Sequence, residues 1–409
     1  MLPRIKSKIF GDPIAEEETP LKCRAMSSLQ KSILKSRLPP TGLSYPNRMT
    51  SRKSRDYTPT TWDLYFKEKH SVVVSETDTF CAYTAGEEGN PILCLLHGGG
   101  FSALTWSLFA QEVTGMVHCE VVAIDLRGHG ETVTSNDDDL SADTLARDVG
   151  KVVEHLFRDR PEPVLLMGHS MGGAVAVHVA HMDLIANLVG VVVIDVVEGT
   201  AMEALTSMQS FLRGRPSTFN SLEHAIEWSV RSGQIRNCES AKVSVPGQLK
   251  SIKTGEVGVT MISHEAGSSN SIACTEILEE ESEVDGEKEK AAEQPEMPPP
   301  GEEEKNGFTW RIDLRKTEQH WPSWFQGLSQ TFLELPVDKM LLLAGIDRLD
   351  KALTVGQMQG KFQMQVLSHC GHTVHEDSPD KVASIISNFL VRHKLAEPCE
   401  NFERSVPAC

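Results

Sequence analysis

Residues 164–180 read VLLMGHSMGGAVAVHVA, an apolar segment interrupted by a short glycine-rich turn. The pattern indicates a buried strand that turns sharply into a helix, with glycines where the two backbones come close. The spacing Gly168-x-Ser170-x-Gly172 is typical of a turn that presents a serine nucleophile at the carboxyl end of a strand. The amide of Met171 would then lie at the helix N-terminus, where it can donate to a developing oxyanion.

Strand-like and helix-like segments alternate on both sides of this turn, from about Trp62 onward. The runs of Val, Ile and Leu are continuous, which indicates strands buried on both faces of a sheet, and the intervening helices imply right-handed crossovers. The sequence therefore predicts an α/β fold with a mostly parallel central sheet flanked by helices. The expected strands are an antiparallel pair at 71–74 and 79–85, followed by 92–97, 120–125, 164–169, 188–195, 340–345 and 362–367.

The segment 199–338 interrupts this alternation, because it contains helical patterns but no clear core strand. We predict that it is a helical lid inserted into an α/β domain that spans 59–395. Its middle part, 250–307, is rich in Ser, Glu and Pro and is predicted to be a disordered acidic loop. Residues 1–58 are expected to be a disordered N-terminal segment, and residues 396–409 a C-terminal tail.

The composition of the 409-residue chain excludes several classes of protein. The formal net charge of −17 argues against a general nucleic-acid-binding protein, because such a protein needs a basic face. Nine scattered cysteines form no C-x-x-C pair, which favours reduced thiols and a location in the cytoplasm and nucleus. No apolar stretch is long enough to cross a membrane, and no membrane partner is expected.

A second glycine-rich turn follows the strand-like segment ILCLL and reads His97-Gly98-Gly99-Gly100. Hydrolases with a serine at such a strand–helix turn place their second oxyanion donor after an upstream strand of this kind. Glycines allow the backbone to approach a substrate and to point an N–H group toward it. We therefore predict that the amides of Gly99, Gly100 and Met171 form an oxyanion hole.

The base is expected late in the chain, since the order Ser, Asp, His is that of α/β-hydrolases. The segment SHCGHTVHEDSPDKV offers three histidines. His372 is favoured because it follows a glycine just beyond the last strand, whereas His369 and His375 are expected to have loop or packing roles. Asp195 and Asp347 each end a predicted strand, and either could orient the imidazole. The residues alone leave that choice open.

Long stretches of this chain closely resemble the eukaryotic protein phosphatase methylesterase family. They include LLHGGGFSALTWSLF, VVAIDLRGHGET, GHSMGGAVAVH, IDVVEGTAMEAL, AIEWSVRSGQIRN and CGHTVHED. The resemblance extends over residues 57–395 and implies an α/β-hydrolase fold. It also implies that Ser170 is the nucleophile, Asp195 the acid and His372 the base.

Members of that family hydrolyse the methyl ester on the C-terminal leucine of the catalytic subunit of type 2A serine/threonine phosphatase. The resemblance thus implies a serine carboxylesterase that releases methanol and needs no metal or organic cofactor. Its implied partners are that catalytic subunit and the phosphatase core complex. The resemblance also implies that binding to the phosphatase rearranges the catalytic residues of the esterase and inactivates the phosphatase. Six apolar lid residues are expected to face the partner or its tail, with packing inside the lid as the alternative: Met202, Met208, Phe211, Trp228, Trp321 and Trp324.

Two other functions stay open from the sequence. A general carboxylesterase or thioesterase acting on small acyl substrates would use the same serine, histidine and aspartate. A non-catalytic protein that binds and sequesters the phosphatase would not need them. Dehalogenases and epoxide hydrolases are excluded, because they require an aspartate where Ser170 stands.

Overall fold

The computed structural model describes residues 55–271, 307–345, 349–400 and 402. Most of the predicted N-terminal segment, the predicted acidic loop from residue 272 to 306 and most of the C-terminal tail lie outside the described residues. Asp347, the alternative acid, lies outside them as well. Within these ranges no helix combines the length and apolar character that crossing a bilayer requires.

Strands of the described chain form two sheets. In chain order they are β1 (Glu68–Val73), β2 (Thr79–Gly86), β3 (Ile92–Leu96), β4 (Glu120–Ile124), β5 (Val164–His169), β6 (Leu188–Ile194), β7 (Thr218–Phe219), β8 (Leu249–Ser251), β9 (Phe308–Trp310), β10 (Asp338–Leu343) and β11 (Gln363–Val366). The central sheet has the spatial order β1-β2-β4-β3-β5-β6-β10-β11. β2 pairs antiparallel with β1 and β4, and every other pair is parallel, which confirms the predicted architecture.

Helices connect these strands and cover the sheet. The α-helices are α1 (Ser107–Thr114), α2 (Ala142–Phe157), α3 (Met171–His181), α4 (Glu198–Arg213), α5 (Leu222–Ser232), α6 (Cys238–Ser244), α7 (Gly258–Ser271), α8 (Trp321–Phe325), α9 (Leu328–Glu334), α10 (Lys351–Met358), α11 (Val374–Asp377) and α12 (Pro379–Arg392). Ser141 caps the start of α2, because its side chain accepts a hydrogen bond from the amide of Thr144.

The sheet separates two apolar cores. Strand side chains alternate between the faces, so Ile92, Cys94 and Leu96 of β3 point to one core while Leu93 and Leu95 point to the other. The first core is closed by α2 and α3, and the second by α1 and α12. All five β3 side chains are fully buried, which explains the unbroken apolar run in the sequence.

The segment between β6 and β10, hereafter the insertion, contains α4 to α9 and a small antiparallel sheet of order β7-β9-β8. The predicted disordered loop therefore does not begin at residue 250. Residues 249–251 form β8, which pairs with β9, and residues 258–271 form α7. This stretch is polar in composition, yet the side chains of Val257 and Val259 are buried, and Val259 belongs to the second apolar core.

Candidate active site

Ser170 occupies a strained turn between β5 and α3, with φ of 52° and ψ of −118°. A Cβ atom at Gly168 would lie 2.1 Å from the carbonyl oxygen of Gly172, and one at Gly172 would lie 2.5 Å from that of Leu96. Neither position can accept a side chain, because real contacts of this kind are longer than 3 Å. The Ser170 amide donates to the carbonyl of Ile194 over 2.9 Å, which fixes the turn to β6. These contacts are the physical reason for the glycines around Ser170.

A histidine–aspartate pair lies at the same edge of the sheet. Nδ1 of His372 lies 2.8 Å from Oδ2 of Asp195, which directly follows β6. The other carboxylate oxygen of Asp195 accepts from the amide of Ala344 over 2.9 Å, and its side chain is fully buried. The His372 side chain is half exposed and lines the same cavity as Ser170. This geometry selects the Nδ1–H tautomer of His372 and leaves Nε2 free to accept a proton.

The loop that carries His372 is held by neighbours on both sides. Nε2 of His169 donates to the carbonyl of His372 over 2.9 Å, and burial lowers the pKa of His169 well below its usual value. The amide of Gly371 donates to Asp377 over 2.6 Å. The hydroxyl of Thr373 donates to the carbonyl of Gln234, in the insertion, over 3.0 Å. The position of the imidazole is thus set by both the sheet and the insertion.

The two other histidines of this region lie elsewhere. His375 is fully buried, its Nε2 lies 2.9 Å from the hydroxyl of Thr105, and burial lowers its pKa to about 3. His369 contributes its carbonyl, which accepts from Arg236 over 2.8 Å. These contacts confirm the predicted packing and loop roles.

Ser170 and His372 line one cavity of about 310 Å³. The insertion supplies most of its wall, through α4, the turn after α5, the segment Leu314–His320 and α8. Within the described part of the chain the Ser170 hydroxyl makes no hydrogen bond to His372. Such bonds are often loose in free enzymes and form when substrate enters.

The predicted oxyanion donors differ in availability. Gly99, Gly100 and Met171 all line the cavity. The amide of Gly100, however, donates to Nε2 of His129 over 2.9 Å. Gly100 has φ of 79°, a conformation that favours glycine, and His129 is buried. In this geometry the Gly100 amide is not free to hold an oxyanion, and the prediction for Gly100 is corrected accordingly.

Five of the six apolar residues singled out in the insertion line the cavity: Met208, Phe211, Trp228, Trp321 and Trp324. The sixth, Met202, packs against the first apolar core, the one closed by α2 and α3. Trp321 and Trp324 are nearly buried, and their indole N–H groups donate to Thr317 and to the carbonyl of Leu140. These two tryptophans therefore both pack the insertion and form a wall of the cavity.

The chain is similar to known proteins over nearly its whole length. A family model described as "Alpha/beta hydrolase family" matches residues 93–252 and 277–385. A "Protein phosphatase methylesterase 1" of Mus musculus is 52% identical over 94% of this chain and 100% of that protein. One from Schizosaccharomyces pombe is 36% identical over 81% of this chain and 85% of that protein. The chain belongs to the protein phosphatase methylesterase family of α/β-hydrolases. It is accordingly a serine esterase.

Solved structures support the fold. An E-2-(acetamidomethylene)succinate hydrolase superposes with a TM-score of 0.56 at 15% identity, covering 79% of this chain and 99% of that one. A thioesterase domain from the curacin biosynthetic pathway gives 0.51 at 18% identity, covering 78% of this chain and 98% of that one. At these identities the similarity concerns the α/β-hydrolase fold alone.

Proposed function

We propose that this methylesterase-family protein hydrolyses the C-terminal leucine methyl ester of the type 2A phosphatase catalytic subunit. Ser170 is the nucleophile, His372 the base and Asp195 the acid that orients it. The main support is the 2.8 Å contact between His372 Nδ1 and Asp195 Oδ2, because His372 lines the same cavity as Ser170. The substrate is supported by relatives up to 52% identical that are named protein phosphatase methylesterase.

In this proposal His372 Nε2 takes the hydroxyl proton of Ser170 as the oxygen attacks the ester carbonyl. The negative charge that develops on the carbonyl oxygen is held by the amides of Gly99 and Met171. His372 returns its proton to the methoxide, so methanol leaves and an acyl-serine ester remains. Water, activated by His372, then adds to that ester and releases the free carboxylate and the serine.

Asp195 has two effects on this reaction. Its carboxylate accepts the Nδ1 proton of His372, which keeps the ring in the tautomer that can act as a base. Its buried negative charge also stabilises the imidazolium that forms when His372 holds the serine proton. The Ala344 amide fixes the carboxylate, so both effects are present before the substrate binds.

The test is mass spectrometry of the phosphatase C-terminal peptide after incubation of methylated phosphatase with wild type or Ser170→Ala. Wild type should remove the methyl group, whereas Ser170→Ala should leave it in place while still binding the phosphatase. Normal demethylation by Ser170→Ala contradicts the proposed nucleophile. Small esters assayed in parallel identify a general esterase if they are hydrolysed as well as, or better than, the methylated phosphatase.

A further inference from the structure

Arg215 is a cation without an ionic partner in the wall of the candidate substrate cavity. It follows the C-terminus of α4, is half-buried, and lines the same cavity as Ser170 and His372. Its Nε is buried and has no hydrogen-bond partner within the described chain, and no carboxylate of the described residues forms an ion pair with it. Burial lowers the pKa of Arg215 to about 10, so the side chain keeps its charge at neutral pH.

An aromatic support holds this guanidinium in place. The Arg215 Cζ lies 3.5 Å from the centre of the Trp310 ring, a close cation–π contact. The Trp310 indole is itself fixed, because its N–H donates to the carbonyl of Pro216 over 2.7 Å. Trp310 also packs edge-on against Phe219 and Trp228, with ring centres 5.3 Å and 5.8 Å away. One face of the guanidinium is therefore occupied, while its edge stays available for hydrogen bonds.

The rest of the cavity wall does not neutralise this charge. Among the described residues that line the cavity there is no aspartate or glutamate, and Arg215 is the one permanent cation. A half-buried cation without a partner is costly for folding, since it loses hydration without gaining an ion pair. Such a group in a substrate cavity indicates a bound anion as the missing partner.

We infer that Arg215 binds an anionic group on the acyl side of the ester substrate, such as a side-chain carboxylate a few residues before the esterified leucine. This inference rests on the proposed function and names the substrate class more closely: esters of acidic peptides. The planar guanidinium can form two parallel hydrogen bonds with a carboxylate, which a neutral amide cannot match. Arg215 therefore selects peptides by charge, while Ser170 and His372 perform the chemistry.

The test uses acetylated tetrapeptide methyl esters that end in leucine and carry either Glu or Gln at one of the three preceding positions. For at least one of the three positions, the kcat/KM of wild type for the Glu peptide should be about tenfold higher than its kcat/KM for the Gln peptide. Arg215→Met should reduce this ratio to about one, and Arg215→Lys should retain part of it because the charge remains. Equal kcat/KM values for both peptides at all three positions with wild type would overturn the inference.

Arg213→Met is the matched control, because Arg213 has the same charge two residues away but is exposed and contacts Gln209. It should keep the Glu-to-Gln ratio of wild type, and the inference fails if it loses the ratio as Arg215→Met does. Calorimetric binding of the same peptides to Ser170→Ala separates this inference from the proposed function. If the double variant Ser170→Ala/Arg215→Met binds the Glu peptide more weakly than Ser170→Ala does, the anion site is supported even when no peptide ester is hydrolysed. Equal binding of the Glu peptide by the two variants contradicts the anion site.

Discussion

At the residue scale, the nucleophile turn depends on two glycines that no other residue can replace. Gly172 is the sharper case, because a Cβ there would lie 2.5 Å from the carbonyl oxygens of both Leu96 and His97. A side chain would push α3 away from β3 and displace Ser170 from the cavity. Backbone atoms cannot move aside as a flexible side chain can, so the cost falls on the fold and on the site together.

We expect Gly172→Ala to lower the free energy of unfolding by about 1–3 kcal/mol and to reduce kcat by at least about tenfold. The measurements are denaturant unfolding and hydrolysis of a small ester. Gly115→Ala is the control, since a Cβ there would meet its nearest atoms at an ordinary 3.5 Å. It should unfold and turn over like wild type. A Gly172→Ala variant as active and as stable as the control would contradict this account of the turn.

The hydrogen bonds of Asp195 determine what an asparagine would do in its place. The Ala344 amide would pair with the asparagine carbonyl oxygen and turn the NH₂ group toward His372 Nδ1. The imidazole would then have to carry its proton on Nε2, where it cannot act as a base. We expect Asp195→Asn to lower kcat about 10⁴-fold, the loss seen when serine protease triads are changed in this way.

The chain offers a matched control for this change. Asp338 forms a second histidine–aspartate pair, with Oδ2 at 2.7 Å from Nδ1 of His393, on the surface and outside the cavity. Asp338→Asn should leave kcat unchanged. If the two variants lose activity equally, the His372–Asp195 contact has no special role in the reaction.

The sequence predicted Ser170, His372 and the glycines, because a strand–turn–helix imposes its own local pattern. It left Asp195 and Asp347 undecided, since both follow strands at the same sheet edge, and only the resemblance favoured Asp195. The sequence could not show that the Gly100 amide donates to His129, because those residues are 29 positions apart. Arg215 was missed for a related reason: a cation without a partner is recognisable only when its neighbours in space are known.

At the element scale, Glu376 joins three parts of the fold. It lies in α11, is fully buried, and accepts hydrogen bonds from Ser240 and Ser244 of α6, each at 2.7 Å. A third bond comes from the hydroxyl of Thr105, which precedes α1. Burial raises the pKa of Glu376 to about 7, because three hydroxyls do not fully replace water around a carboxylate. The stability of this junction should therefore depend on pH.

The direction of that dependence follows from proton linkage. Between about pH 4.3, the usual pKa of glutamate, and pH 7 the folded state holds a proton on Glu376 that the unfolded chain has lost. The stability that this proton contributes is fully present below the pKa of Glu376 in the unfolded chain. It is lost as the pH rises through the pKa in the folded state, about 7. We expect the free energy of unfolding of wild type, relative to Glu376→Gln, to fall as pH rises from 5 to 7.

Denaturant unfolding at several pH values measures this difference. Glu223→Gln serves as the surface control, because Glu223 is exposed in the first turn of α5, and the fall measured with Glu376→Gln should exceed any change measured with this control. A difference between wild type and Glu376→Gln that stays constant, or grows, with rising pH would contradict a raised pKa for Glu376.

The main strands were predicted with ends close to those observed, because long buried runs leave a strong apolar pattern. The small sheet of the insertion was not predicted. β7, β8 and β9 contain two or three residues each, too few to show an alternating pattern. Their pairing is also distant in the chain, since β8 contacts β9 across the predicted acidic loop. Local composition therefore misassigned the start of that loop.

At the scale of the whole molecule, the insertion converts an open sheet edge into a cavity. The catalytic candidates come from the sheet, whereas the tryptophans at 228, 321 and 324 come from the insertion. A peptide that enters this cavity must contact both. We expect binding of a leucine methyl ester peptide to Ser170→Ala to change the tryptophan fluorescence of the protein.

Two substitutions locate the source of that change. Trp228→Phe removes an indole from the cavity wall and should diminish the response, whereas Trp62→Phe alters a residue outside the cavity and should not. A response lost with Trp62→Phe but kept with Trp228→Phe would place the peptide elsewhere on the molecule.

The proposed reaction depends on Ser170 as a nucleophile that His372 activates. The direct measurement is peptide mass spectrometry of the protein after reaction with a fluorophosphonate, which modifies serines activated for nucleophilic attack. We predict labelling of wild type at Ser170, a strongly slowed reaction with His372→Ala, and normal labelling with His369→Ala. Labelling at another serine, or labelling of Ser170 at the wild-type rate in His372→Ala, would contradict the account.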